Sequence, residues 1–98
     1  MQQKPEIFVD IRGLENTKDT LRKFIIHNKG TGDLKILNHT ASCECTALNL
    51  RNNDIIKAKD SLIVDVKINQ QQLDNDQLIY ITLKSNAEPQ LISFYFKQ

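Results

Sequence analysis

No stretch of this 98-residue chain runs to about 18 consecutive apolar residues, so nothing in it is expected to cross a membrane as a helix. The opening Met1-Gln2-Gln3-Lys4-Pro5-Glu6 also lacks an apolar signal core. Two locations stay open. Either the protein is cytoplasmic, or a leader is absent from this sequence, Met1 stands in its place, and the protein is periplasmic or at the cell surface. Cysteine is scarce, and the two present, Cys43 and Cys45, suit either compartment. A concentrated basic face is missing too: 13 Lys and Arg stand against 12 Asp and Glu, a net charge of +1. Phosphate binding needs such a face. The nearest candidates, Lys18, Arg22, Lys23 and Lys29, are diluted by Glu15 and Asp19, with no aromatic residues interleaved for base stacking. They read as a solvated strand face, and nucleic acid is not an expected partner.

Motifs of catalysis are absent as well. There is no Gly-x-Ser-x-Gly elbow, no phosphate loop and no His-Glu-x-x-His. The carboxylates Asp74 and Asp76 fall in a polar loop, where solvation accounts for them. No enzyme activity and no cofactor are expected. Sustained 3.6-residue periodicity is also lacking, which leaves little room for helices.

What the chain does have is alternation. Ile7, Val9 and Ile11 alternate with Phe8 and Asp10; Phe24 and Ile26 oppose Lys23, Ile25 and His27. Gly30-Thr31-Gly32-Asp33 is a strong turn signal, because glycine accepts positive φ without steric cost. Leu34 and Ile36 restart a strand that runs through Thr40 towards the cysteines. Leu48 and Leu50 suggest a short strand, and Ile55 and Ile56 dip inward once between two turns. The clearest run is Leu62, Val64, Val66 and Ile68, followed after the polar crossover 70–76 by Ile79, Ile81 and Leu83, then Ile92, Phe94 and Phe96. About seven short strands with turns between them predict one all-β domain over 1–98, with its core in 6–97. The expected architecture is an immunoglobulin-like antiparallel β-sandwich.

Asn28-x-Gly30-x-x-x-Leu34-x-Ile36, then Ser42-Cys43-x-Cys45-Thr46, then Ser85-Asn86, resemble an uncharacterised bacterial family of immunoglobulin-like domains. That family is related in fold to the ASH, hydin and major-sperm-protein domains and to PapD-like chaperone modules. The resemblance spans roughly residues 6 to 97. Glu44 stands where the family usually has glycine, and Ala58-Lys59 where it usually has Pro-Gly. Members commonly carry a secretion or lipoprotein leader, which implies a place in the cell envelope. The family has no established activity.

Cys43-Glu44-Cys45 is the one constellation with chemical character. Residues two apart on a strand lie about 6.6–6.8 Å apart at Cα, the long limit of the roughly 4.4–6.8 Å that a disulfide spans. Closing so small a loop stabilises by only about 1–2 kcal/mol. Three readings stand: a local disulfide, free thiols, or a redox or soft-metal site for Cu(I) or Zn²⁺ using Cys43, Cys45 and His39, with His27 near across a hairpin. A Cys–His dyad is disfavoured, since an extended 39–43 puts His39 about 13 Å from Cys43.

These readings point to a non-catalytic interaction or structural module of the envelope. Its partner would be another protein, met through an edge strand or an end loop, with the domain a monomer or an edge-paired dimer. Ile25, Ile63, Leu78, Tyr80, Leu91 and Tyr95 are expected on outward faces. Tyr80, Tyr95, Ile63 and Leu91 lead as the interaction surface. They form either a patch for a partner or a surface covered by neighbouring strands or a second domain.

Overall fold

The alternating runs become strands because residues two apart share a face, and one face of each run is apolar. The computed structural model describes residues 3–15, 19–42, 46–69 and 78–97. Its strands are β1 (Ile7–Asp10), β2 (Leu21–Asn28), β3 (Leu34–Ala41), β4 (Thr46–Leu48), β5 (Asp54–Ile56), β6 (Ser61–Ile68), β7 (Leu78–Ser85) and β8 (Leu91–Lys97), with a single 3-10 turn at Arg12–Leu14. Two four-stranded sheets result, in the orders β1-β2-β6-β4 and β5-β3-β7-β8. Every neighbouring pair is antiparallel. The expected all-β sandwich is the architecture observed.

Between the sheets, Phe24, Ile26, Val64 and Val66 meet Leu34, Ile36, Ile79, Ile81, Phe94 and Phe96, all buried. Phe24 and Phe94 join the layers edge to face, with ring centroids 5.0 Å apart at 66°. The described strands number eight rather than about seven, and the addition is β5. Ile55 and Ile56 do not both turn inward: Ile56 is buried and Ile55 is exposed, as successive strand residues must be. Leu50 is buried beyond the end of β4 rather than within a strand. The polar crossover 70–76 lies outside the described residues.

Residues 29–33 do not close a hairpin. They carry the chain from one sheet to the other, so β2 and β3 are not partners. Asn28 holds this passage from a buried position. Its Oδ1 accepts from the Glu6 N–H (3.2 Å) and the Gly30 N–H (3.0 Å), while Nδ2 donates to the Gly32 carbonyl (2.8 Å) and the Ile56 carbonyl (2.9 Å). The amide's two donors and both acceptor directions are thereby used. No glycine adopts positive φ. Gly30 is required for a different reason: the 4–6 backbone passes so close that a Cβ there would collide with the Lys4 carbonyl and the Glu6 nitrogen.

Arg22 also departs from expectation. It is not on a solvated face but 2% exposed on the inward side of β2. Its Nε donates to the Asp19 carbonyl (2.9 Å), and Nη1 donates to the carbonyls of Leu14 (3.3 Å) and Lys97 (2.6 Å). The guanidinium carbon lies 5.5 Å from the centre of the Phe96 ring. Burial pushes the pKa of this cation down, against the pull of Asp19's charge. Arg22 thus ties the end of β8 to the opposite sheet.

Candidate interaction surface

β8 is the outermost strand of its sheet, and its backbone parity decides which groups are free. The Ser85 N–H donates to the Gln90 carbonyl (2.9 Å), which makes 85 and 90 a hydrogen-bonded pair. The ladder keeps that register through Leu83–Ile92, Ile81–Phe94 and Ile79–Phe96, so these are the bonded pairs as well. The N–H and C=O groups of Leu91, Ser93 and Tyr95 therefore point away from β7. Lys97 has the same parity, and its carbonyl is the one that Arg22 takes. The other edge strands are short: β1 has 4 residues, β4 and β5 have 3 each, and β8 has 7.

The same parity sends the side chains of 91, 93, 95 and 97 to the outer face. Tyr95 sits directly opposite Tyr80, with ring centroids 5.6 Å apart at 45°. Next along the ladder the hydroxyls of Thr82 and Ser93 lie 2.9 Å apart, and beyond them Leu91 faces Lys84. Beside Tyr80, at the end of β3, the Ser42 N–H donates to the Tyr80 carbonyl (2.8 Å), and Ser42 Oγ accepts from the Tyr80 N–H (2.9 Å). Tyr80, Tyr95 and Leu91 are 48%, 57% and 61% exposed. The charges on the outward positions of β7 and β8 are those of Lys84 and Lys97.

Ile63 is exposed, yet it belongs to the outer face of the other sheet, opposite Ile25. The surface expected from sequence is therefore two surfaces, one on each sheet. Leu78 and Ile25 are only partly exposed. Three exposed apolar residues were not among those expected outward: Leu21, Phe8 and Ile55. Phe8 shares its face with His27 (centroids 5.9 Å apart) and lies under the Lys29 ammonium, 4.5 Å from the ring centre. The parity of Phe8 against Ile7 and Val9 was the signal for it. On this face Asp10, Arg12, Gly13, Lys23, Ile25 and Ile63 line a shallow depression. Arg12 Nη2 lies 2.7 Å from Asp10 Oδ2. That side-chain bond, together with the bond from the Arg12 backbone N–H, lowers the Asp10 pKa from 3.8 to about 2.

Of the expected metal or redox residues, the two histidines fall among the described residues. A bulge sets Ile36 against Ser85 but Asn38 against Lys84, so Leu37 is the extra residue. This inverts the face of everything after it, placing His39 opposite the buried Leu83 on the inward side. His39 is half-buried, and its Nδ1 has no hydrogen-bond partner among the described residues. His27 stands on the other sheet, on its outer face, so no hairpin brings the two histidines together. Cys43 and Cys45 lie outside the described residues. Among the described residues no three His, Cys, Asp or Glu side chains cluster to hold a metal ion. No helix among them is long and apolar enough to cross a membrane.

A family model described as "Protein of unknown function (DUF1573)" matches residues 4–98. The chain belongs to this family. The resemblance to an uncharacterised domain family is thereby met, and DUF1573 membership covers both sheets and the β8 edge. No curated protein matches the chain. DUF1573 by its description assigns no activity, so function has to be argued from the surface itself.

Proposed function

We propose that this domain is a non-catalytic protein-interaction module of the bacterial cell envelope, and that it takes its partner by strand addition at β8. The observation that carries this reading is the open edge of Leu91, Ser93 and Tyr95, bordered by the exposed Tyr80–Tyr95 pair. A long, regular edge strand is a template for another chain, and folded proteins usually shorten, charge or cover such edges. Here the three other edges are short and β8 is not. Strand addition gives affinity through backbone hydrogen bonds, and the two tyrosines give the neighbouring face rigid, amphipathic anchors. The envelope location is supported by the leaders that members of the resembled family commonly carry.

The test is a benzophenone crosslinker placed at position 95 in the producing bacterium, with the same group at Lys23 as the control on the other sheet. A discrete adduct at 95 that Ser93→Pro removes supports β8 docking. An adduct at 23 alone, or none at either position, contradicts it.

A second reading is favoured by His39. Its inward Nδ1 has no partner among the described residues, and it stands four residues before Cys43. Two thiolates and an imidazole suit Cu(I) or Zn²⁺. Soft-metal binding through Cys43, Cys45 and His39 requires near-stoichiometric metal on the purified chain, lost in Cys43→Ser. If both thiols alkylate without reductant and the protein carries no metal, this reading fails.

A further inference from the structure

We infer that the strand received by β8 is β8 of a second copy of this chain, paired antiparallel about Phe94. The inference rests on the strand-addition reading and names its partner. An incoming strand has to satisfy three conditions: the parity of the open backbone groups, the faces of the side chains, and charge.

Parity comes first. The open groups belong to 91, 93 and 95, with the N–H of 97 on the same side. An antiparallel pairing that sets Phe94 opposite the second copy's Phe94 brings residue 91 against 97 and 93 against 95. The groups of 93 and 95 then bond each other and the Leu91 carbonyl accepts from the 97 N–H, while the Leu91 N–H meets the Lys97 carbonyl, which already accepts from Arg22 and has a second lone pair to offer. Residues 92, 94 and 96, already bonded to β7, fall in the non-bonded positions.

Faces match in the same register. Opposed residues of an antiparallel pair lie on one side of the sheet. The inward row Ile92, Phe94 and Phe96 therefore continues into an identical apolar row, and the outward row continues from Tyr80–Tyr95 into Ser93 of the second copy. Leu91, 61% exposed in one copy, gains the aliphatic stem of the second copy's Lys97.

Charge then selects the direction. Lys97 is the one charged side chain on β8. Antiparallel pairing holds the two Lys97 ammonium groups roughly 20 Å apart along the strand, whereas parallel pairing places like charges side by side. The contact is isologous, closing as a two-fold dimer that leaves no second long β8 edge open. The product is one continuous eight-stranded sheet.

Sedimentation equilibrium of the full chain from about 1 μM to 1 mM tests this, using the wild type, Leu91→Glu, Leu91→Lys and Ser93→Pro. The wild type is expected to show a reversible monomer–dimer equilibrium. Leu91→Glu puts a carboxylate against Lys97 at both ends and should tighten the dimer. Leu91→Lys puts like charges there and should loosen it. Each shift should be about two- to thirty-fold in Kd, because two symmetry-related pairs change together. Ser93→Pro removes an N–H that the β7 ladder does not use, so it should be monomeric with its β-sheet signal intact. If that variant does not fold, the charge variants at the exposed Leu91 still decide. A dimer indifferent to both charges at 91 overturns the register. A chain that stays monomeric throughout, while position 95 still crosslinks to a different protein, overturns the second copy and leaves strand addition standing. A monomer with no adduct at 95 overturns both.

Discussion

Tyr80 and Tyr95 face each other across the β7–β8 ladder with ring centroids 5.6 Å apart, and both stay about half-exposed. A cross-strand aromatic pair stabilises a sheet by about 0.2–1 kcal/mol relative to alanine. Neither ring fills the core, so Tyr80→Ala and Tyr95→Ala should each lower stability by no more than about 1 kcal/mol. A double-mutant cycle in urea should show a coupling of about 0.5 kcal/mol. The same substitutions should weaken association at β8 by more than they weaken folding.

Asn28 should behave in the opposite way. Its amide serves four backbone groups from a buried position, so Asn28→Ala leaves two carbonyls and two N–H groups without their partner. We expect a loss of about 2–4 kcal/mol in chemical denaturation. Asn28→Asp keeps the shape but sets a carboxylate oxygen against the Gly32 and Ile56 carbonyls. It should be at least as damaging at pH 7. A near-neutral Asn28→Asp would show that the amide's two donors do not matter.

The pH dependence at low pH should trace to the pair on the other sheet. Asp10 has its folded pKa lowered from 3.8 to about 2 by the hydrogen bonds from Arg12. A depressed carboxylate stabilises the fold above its unfolded pKa, and that contribution disappears as pH falls from near 4 through about 2. Carboxyl NMR should place the Asp10 midpoint near 2 and return it towards 3.8 in Arg12→Ala. The stability difference between wild type and Arg12→Ala should close over the same window.

Lys59 occupies the turn where the resembled family usually has glycine, and it adopts φ 66°. The Asp60 N–H donates to the Lys57 carbonyl (3.0 Å), which closes the turn around it. A left-handed conformation costs a non-glycine residue about 1 kcal/mol or more. The replacement also loses the bond from Lys59 Nζ to the Lys29 carbonyl and gains unfolded-chain entropy. Relief of strain is the larger effect, and Lys59→Gly should stabilise by about 0.5 kcal/mol, seen as a small rise in Tm.

Alternation made much of the fold legible. Val64 and Val66, Ile79 and Ile81, and Phe94 and Phe96 face inward as their period requires. The outward placement of Tyr80, Tyr95 and Leu91 follows from those same runs. Arg22 shares parity with Phe24 and Ile26, and that parity was the sign that it is buried; its charge argued the other way. β5 escaped notice because three residues are too few to show a period. The bulge at Leu37 leaves no mark in composition, so the inward turn of His39 could not be read. Alternation also gives no strand order. It could not separate Ile63 from the tyrosines, nor show that β8 lies at an edge.

Amide hydrogen exchange along β8, followed by NMR as a function of protein concentration, tests the β8 pairing most directly. In dilute solution the Phe94 and Phe96 N–H groups should be protected by β7, while those of Ser93 and Tyr95 exchange fast. At high concentration Ser93 and Tyr95 should become protected while the rest of the sheet stays unchanged. Equal protection of all four amides at every concentration would mean that β8 has no open edge. Fast exchange at Ser93 and Tyr95 at every concentration would mean that no second copy fills it.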